Sequence, residues 1–171
     1  MKVLLIGSFP KSLINFRKEL ILEIKKRKHS ILTSAGNLDN ETEKELENLD
    51  IKFKPYKISR HSINLINNLV SFYQIYQIIK SFKPDVVISY TIKPVIFISL
   101  ISKFYNFRNF PMITGLGYVF ISKKLFVKIF LKKLVSFLYK IGLTNAEKIF
   151  FQNYDDLNYF LKNNIISKKN Y

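Results

Sequence analysis

The chain has 171 residues, 48% of them hydrophobic, which is enough for one domain with a real core. It has no cysteine, so disulfides, thiolate metal sites and a thiol nucleophile are excluded, and its two histidines, His29 and His61, are too few for a multi-histidine metal centre. The formal net charge of +16 is unevenly placed: Asp39, Glu41, Glu43, Glu45, Glu47 and Asp50 form an acidic stretch, while between Pro84 and Ala146 the one acid is Asp85, against Arg108 and many lysines from Lys93 to Lys140. Such a basic half points to an anionic partner: membrane, phosphate or nucleic acid.

In chain order, Lys2 to Ile6 is a short apolar run ended by Gly7 and predicts a buried strand. The run is too short for a signal-peptide core, and no stretch reaches the roughly 20 apolar residues of a membrane span, so a cytoplasmic protein is expected. Pro10 and Ser12 are helix-start residues; Leu13, Phe16, Leu20, Ile21 and Ile24 recur at helical spacing, and Lys25 to Lys28 close that helix. A strand over Ser30–Ala35, an acidic helix over Glu41–Leu49 and a strand over Ile51–Pro55 follow. A long helix is predicted over Ser62–Phe82, a strand over Val86–Tyr90, a helix over Val95–Tyr105 and a strand over Phe110–Thr114. A helix over Lys124–Leu143, a strand over Lys148–Gln152 and a helix over Tyr154–Asn163 complete the chain. Continuous apolar strands alternating with helices predict an α/β fold: a Rossmann-like three-layer α/β/α domain with a mostly parallel sheet.

In such sheets ligands bind beyond the carboxyl ends of the strands. The loops expected there are Gly7-Ser8-Phe9-Pro10, Tyr90-Thr91-Ile92-Lys93-Pro94, Thr114-Gly115-Leu116-Gly117-Tyr118 and Gln152-Asn153-Tyr154. Glycine lets a ligand approach the backbone, but Gly7 alone is not the G-x-G-x-x-G of a dinucleotide site, which argues against an oxidoreductase. The glycines can equally be making tight turns. Arg17 falls on the apolar stripe of the first helix and needs a partner, either a structural acid such as Asp85 or a ligand phosphate or sugar. Lys93, beside Thr91, is either solvated or in contact with a phosphate. His61, just before the long helix, reads as an exposed or capping residue. No Ser-His-Asp set or close carboxylate pair marks a hydrolase.

Leu125 to Leu143 is amphipathic and basic, with Lys124, Lys128 and Lys132 at i, i+4 spacing and Lys133 and Lys140 near that face. It can lie on anionic lipid or pack into the core with a solvated lysine edge. No helix-turn-helix, zinc or RNP pattern accompanies the charge, so nucleic acid is not expected.

"GSFPKSLINFRKELI", "PDVVISYTIKPVIF", "MITGLGYVF" and "AEKIFFQNYDD" together resemble, in order, the N-terminal half of glycosyltransferase family 4, retaining enzymes of the GT-B fold that include bacterial builders of capsule, O-antigen and other surface glycans. The likeness runs over the whole of residues 1–171. It implies an acceptor-binding domain, with Gly7 and Ser8 facing the cleft near donor diphosphate and acceptor. Arg17, Thr91, Lys93, Thr114, Gly115, Gly117 and Tyr118 would shape the acceptor side, and Gln152 and Asn153 would stand at the last strand end. The implied partners are a nucleotide-sugar co-substrate, taken as a UDP-sugar, a lipid-linked or polysaccharide acceptor, and an anionic membrane surface met by the Leu125–Leu143 helix. No metal or other cofactor is implied.

Two departures qualify the likeness. Many members carry a histidine in the loop where this chain has Thr114-Gly115-Leu116-Gly117, although a closer subgroup shares the replacement. The second Rossmann domain, which binds most of the nucleotide sugar through paired glutamates, has no counterpart here. The expectation is half an enzyme, inactive alone, with its donor domain in cis or trans. The alternative is a non-catalytic subunit anchoring a separate donor-domain protein at the membrane.

Overall fold

The computed structural model describes residues 1–59, 64–116, 125–167 and 171. Its elements are β1 (Lys2–Ile6), α1 (Lys11–Lys26), β2 (Ser30–Ala35), α2 (Asn40–Asn48), β3 (Lys52–Pro55), α3 (Leu65–Phe82), β4 (Val86–Tyr90), α4 (Ile92–Ile101), β5 (Arg108–Ile113), α5 (Leu125–Gly142), a 3₁₀ turn (Leu143–Asn145), β6 (Phe150–Phe151) and α6 (Tyr154–Lys162). The strands form one parallel sheet of six in the order β3-β2-β1-β4-β5-β6, the Rossmann-like arrangement that the alternating pattern predicts. The chain clusters into two compact units, Met1–Ile88 and Ser89–Tyr171.

In the first unit, β1 buries Val3 to Ile6 almost completely, as a central strand must. Its register with β2 pairs Val3 with Ile31 and Ile6 with Ser34. Helix α1 turns Leu13, Arg17, Ile21 and Ile24 inward. Helix α2 starts at Asp39, whose carboxylate accepts the Thr42 N–H at 3.0 Å. Its far end is held by Lys25, whose ammonium donates to the carbonyls of Leu49 (2.6 Å) and Asp50 (2.7 Å). The acidic stretch is therefore partly spent on folding: Glu41 pairs with Lys11 at 2.8 Å.

In the second unit, Val95, Ile113, Tyr139, Leu143, Ile149 and Phe160 form the core. Rings meet there at angles that suit their quadrupoles, Tyr139 against Phe160 at 5.1 Å and Phe151 against Phe160 at 5.3 Å. Burial and the nearby Asp156 carboxylate push the Tyr139 phenol far above its ordinary range, so it stays neutral.

Most predicted boundaries agree with the structure to within a few residues, and the Ser62–Ile63 start of the predicted long helix lies outside the described residues. The largest difference is α4, expected from Val95 and observed from Ile92 to Ile101. Pro94 reads in sequence as a breaker, but a proline fits the first turn of a helix, where its missing N–H has no intrahelical partner to lose. Lys93 accordingly belongs to a helix N-terminus and not to a loop.

Candidate functional site

The loop after β1 is closed on itself. The Gly7 N–H donates to the Ser34 carbonyl at 3.0 Å, and the Gly7 carbonyl accepts the buried Tyr56 hydroxyl at 2.7 Å. Both polar groups of this glycine are thus engaged within the protein. Ser8 is buried and its carbonyl lies against Gly36, where a Cβ would come within 3.1 Å of it. The Ser12 hydroxyl and N–H both donate to the Phe9 carbonyl. Sequence reasoning missed Tyr56 and Gly36: nothing local marks a tyrosine as the partner of a glycine 49 residues away.

Arg17 is buried on the inner face of α1, and its guanidinium donates to the Phe16 carbonyl at 2.8 Å. Asp85, the structural acid that the sequence offers it, accepts the Lys2 backbone N–H at 2.6 Å. The first unit also holds an open cleft of about 440 Å³, lined by Asn37, Lys57, Ile58, Ser59, Asn67, Val70 and Ser71, none of which the sequence singles out.

The loop after β4 is different. Thr91 has φ +65° and ψ 153°, a region that a β-branched residue enters only under constraint. Its carbonyl accepts the Val95 N–H at 3.1 Å and starts α4, while its hydroxyl makes no capping bond to the helix. Lys93 follows in the first turn, half-buried, and desolvation holds its pKa below the ordinary 10.5. A cation at the positive end of a helix dipole is the unfavourable arrangement, unless an anion sits between them.

Strand β5, the sheet neighbour of β4, ends at Ile113 and releases Thr114 and Gly115. Gly115 has φ +139°, and a Cβ there would meet nothing within 4 Å, so the backbone is open to an approaching ligand. Gly117 and Tyr118 lie outside the described residues, as does His61. On the next strand, Ile113 pairs with Phe151 and the Gln152 N–H donates to the Ile113 carbonyl at 3.1 Å. Asn153 caps α6 with its whole amide: the oxygen accepts the Asp156 N–H at 2.8 Å and the nitrogen donates to the Asp156 carboxylate at 2.9 Å. Beside it is a second cleft of about 340 Å³, lined by Phe151, Gln152, Asn153, Tyr154 and Tyr171 among others. The second unit therefore brings Thr91, Lys93, Thr114 and Gly115 to the ends of adjacent strands.

Helix α5 presents Phe130 and Phe137 outward, 70% and 58% exposed, together with Ile129, Leu134, Lys133 and Lys140. The Lys132 ammonium lies 5.3 Å from the Tyr159 ring centroid. The helix thus packs Val135, Leu138 and Tyr139 into the core while its outer face carries apolar side chains with interspersed cations. Among the described residues no helix is long and apolar enough to cross a membrane.

The fold is shared with solved GT-B enzymes. A glycosyltransferase from Rickettsia africae superposes with a TM-score of 0.67 at 18% identity, over 99% of this chain and 41% of that one. A UDP-GlcNAc 2-epimerase from Neisseria meningitidis bound to UDP-GlcNAc gives 0.65 at 19% identity, over 99% and 45%. The lipopolysaccharide outer core galactosyltransferase WaaB in its apo form gives 0.64 at 15% identity, over 99% and 44%. The chain thus spans less than half the length of these structures. No curated protein matches the sequence. The sequence family described as "Glycosyl transferase 4-like" matches residues 2–153, and the chain belongs to that family.

Proposed function

We propose that the chain is the acceptor-binding half of a retaining glycosyltransferase, which moves a sugar from a UDP-sugar to a lipid-linked or polysaccharide acceptor in bacterial surface-glycan synthesis. The fold alone does not distinguish a transferase from a sugar-nucleotide epimerase, which shares it; the match to a glycosyltransferase family supports transfer. The observation that carries the acceptor role is Lys93, a half-buried cation at the start of α4 behind the constrained Thr91. A lipid-linked acceptor brings a diphosphate, and an anion there is favoured by both the ammonium and the helix N-terminus. Thr114 and the open backbone at Gly115 give the sugar a place beside it.

In the reaction, the bond from the donor sugar's anomeric carbon to its diphosphate oxygen breaks, a bond to an acceptor hydroxyl oxygen forms, and that hydroxyl loses its proton. Net configuration is kept. The leaving diphosphate is stabilised by donors and positive charge on a separate nucleotide-sugar-binding domain, in cis or in trans. The chemistry requires no metal from this half. The outward Phe130 and Phe137 of α5, among lysines, support a reading in which the domain sits on the anionic cytoplasmic face of the membrane beside a lipid-linked acceptor.

An NMR titration of the ¹⁵N-labelled chain tests this. A soluble short-chain prenyl diphosphate sugar is expected to shift the amides of Thr91 to Lys93 and Thr114 to Leu116, and a UDP-sugar to shift them far less. Saturable UDP-sugar binding with no response to the acceptor would reverse the assignment of the half.

A further inference from the structure

The strand end after β6 carries a cleft that the acceptor reading does not use. β6 is the last strand of the sheet, and the cleft of about 340 Å³ beside it is lined by Phe150, Gln152, Tyr154 and Leu157 among others. Its floor is fixed: Phe151 also lines it and meets the buried Phe160 edge-on, with ring centroids 5.3 Å apart. The loop divides its polar groups. Asn153 commits its amide to the α6 cap, and the Gln152 N–H bonds the Ile113 carbonyl. The side chains on either side of Asn153 face water: the Tyr154 ring is 81% exposed, and the Gln152 amide is exposed with no hydrogen-bond partner among the described residues.

The chemistry of the lining selects the ligand. Among the described residues no lysine or arginine lines the cleft, and the positive end of α6 already has Asp155 and Asp156 in its first turn, so an anion is disfavoured. An uncharged pyranose fits. It offers an apolar face of C–H groups to an aromatic ring, and hydroxyls that donate and accept; the Gln152 amide can answer both roles. A lone exposed tyrosine is ordinary. A tyrosine and an uncommitted amide flanking one cleft at a strand's carboxyl end are the few convergent groups of a small-ligand site. The position also suits a glycan. β4, β5 and β6 are neighbours in that order, so the step from the end of β4 to the end of β6 is two strand spacings, about 10 Å, roughly the length of two linked pyranose rings.

We infer that the cleft between Gln152 and Tyr154 is a second sugar subsite, holding an uncharged pyranose of the glycan acceptor with its C–H face on Tyr154 and its hydroxyls on the Gln152 amide. The identity of that ligand rests on the transfer reading; the binding chemistry stands on the cleft alone. The test is an NMR titration of the full ¹⁵N-labelled chain with methyl glycosides of glucose, galactose, mannose, rhamnose and N-acetylglucosamine, and separately with inorganic phosphate. At least one glycoside should shift the amides of Gln152 to Asp155 saturably, and phosphate should not. Tyr154→Ala, folded by circular dichroism, should weaken that binding about fivefold or more, and Tyr154→Phe little, because the ring face is kept. Gln152→Ala should weaken it about threefold or more. The inference is overturned if no glycoside shifts these amides, if phosphate shifts them as strongly, or if folded Tyr154→Ala binds as well as the wild type. A chain whose Thr91 to Lys93 amides answer a prenyl diphosphate sugar while Gln152 to Asp155 ignore every glycoside loses this subsite and keeps its acceptor site. Glycoside binding at Gln152 to Asp155 without any prenyl diphosphate response keeps the subsite and removes the acceptor reading of Lys93.

Discussion

The loops after β1 and β4 occupy equivalent places, each at the carboxyl end of a buried parallel strand, and they are built in opposite ways. After β1, Gly7 bonds through both its N–H and its carbonyl, and Ser8 packs against Gly36. After β4, Thr91 is held in a costly conformation and Lys93 is half removed from water at the wrong end of a helix dipole. One loop bonds its glycine on both sides within the fold; the other sets a partly desolvated charge at the start of a helix. Position at a strand end thus does not by itself fix how a loop uses its polar groups. The difference lies in what each loop presents: a doubly bonded glycine backbone after β1, and a constrained threonine with a half-buried ammonium after β4.

The largest expected effect is on the closed loop. Tyr56→Phe removes the 2.7 Å bond to Gly7 and leaves a buried carbonyl unmet, at a cost of about 1–3 kcal/mol in the urea-unfolding midpoint, with ligand binding by the β4 loop intact. A change that weakened binding as much as it weakened folding would erase the distinction between the two loops. The loop after β6 sides with the first: Asn153→Ala should cost about 1 kcal/mol of stability through loss of the α6 cap, measured the same way.

The β4 loop should respond in the other direction. Thr91→Gly relieves the constraint at φ +65°, partly offset by the extra freedom of glycine in the unfolded chain, so stability should rise by up to about 1 kcal/mol. Binding of an anionic acceptor should weaken in the same variant. A loss of stability would show that the conformation is not strained.

The smallest effect is a pH dependence. Folding lowers the Lys93 pKa below 10.5, so the folded state binds fewer protons than the unfolded state between the two values, and stability rises with pH across that window. An anion held by the ammonium shows the reverse trend. Its affinity should fall as pH rises through the folded pKa, earlier than for a fully exposed lysine, and Lys93→Gln should remove that trend in a titration series.

Much of the fold was legible because its strands are unbroken apolar runs and its helices carry periodic stripes; β1, β2 and β4 stand at their predicted residues. The start of α4 was not, because Pro94 alone does not say whether a proline breaks a helix or opens one. At the site, Lys93 and Gly115 were visible as residue types in plausible places. The engagement of Gly7 was not, since its partners Ser34 and Tyr56 come from other strands and loops. The φ of Thr91 leaves no trace in composition. Helix α5 is apolar around so much of its circumference that periodicity could not choose the buried arc, and the outward Phe130 and Phe137 emerge only from packing.

The most direct test of the central claim is the kinetics of sugar transfer by this chain joined to a nucleotide-sugar-binding domain, with Lys93→Ala compared with the unchanged chain. With folding verified, the account predicts a loss in acceptor kcat/KM of about tenfold or more, with the donor KM little altered. A donor KM that moved while the acceptor kinetics stayed the same would contradict it.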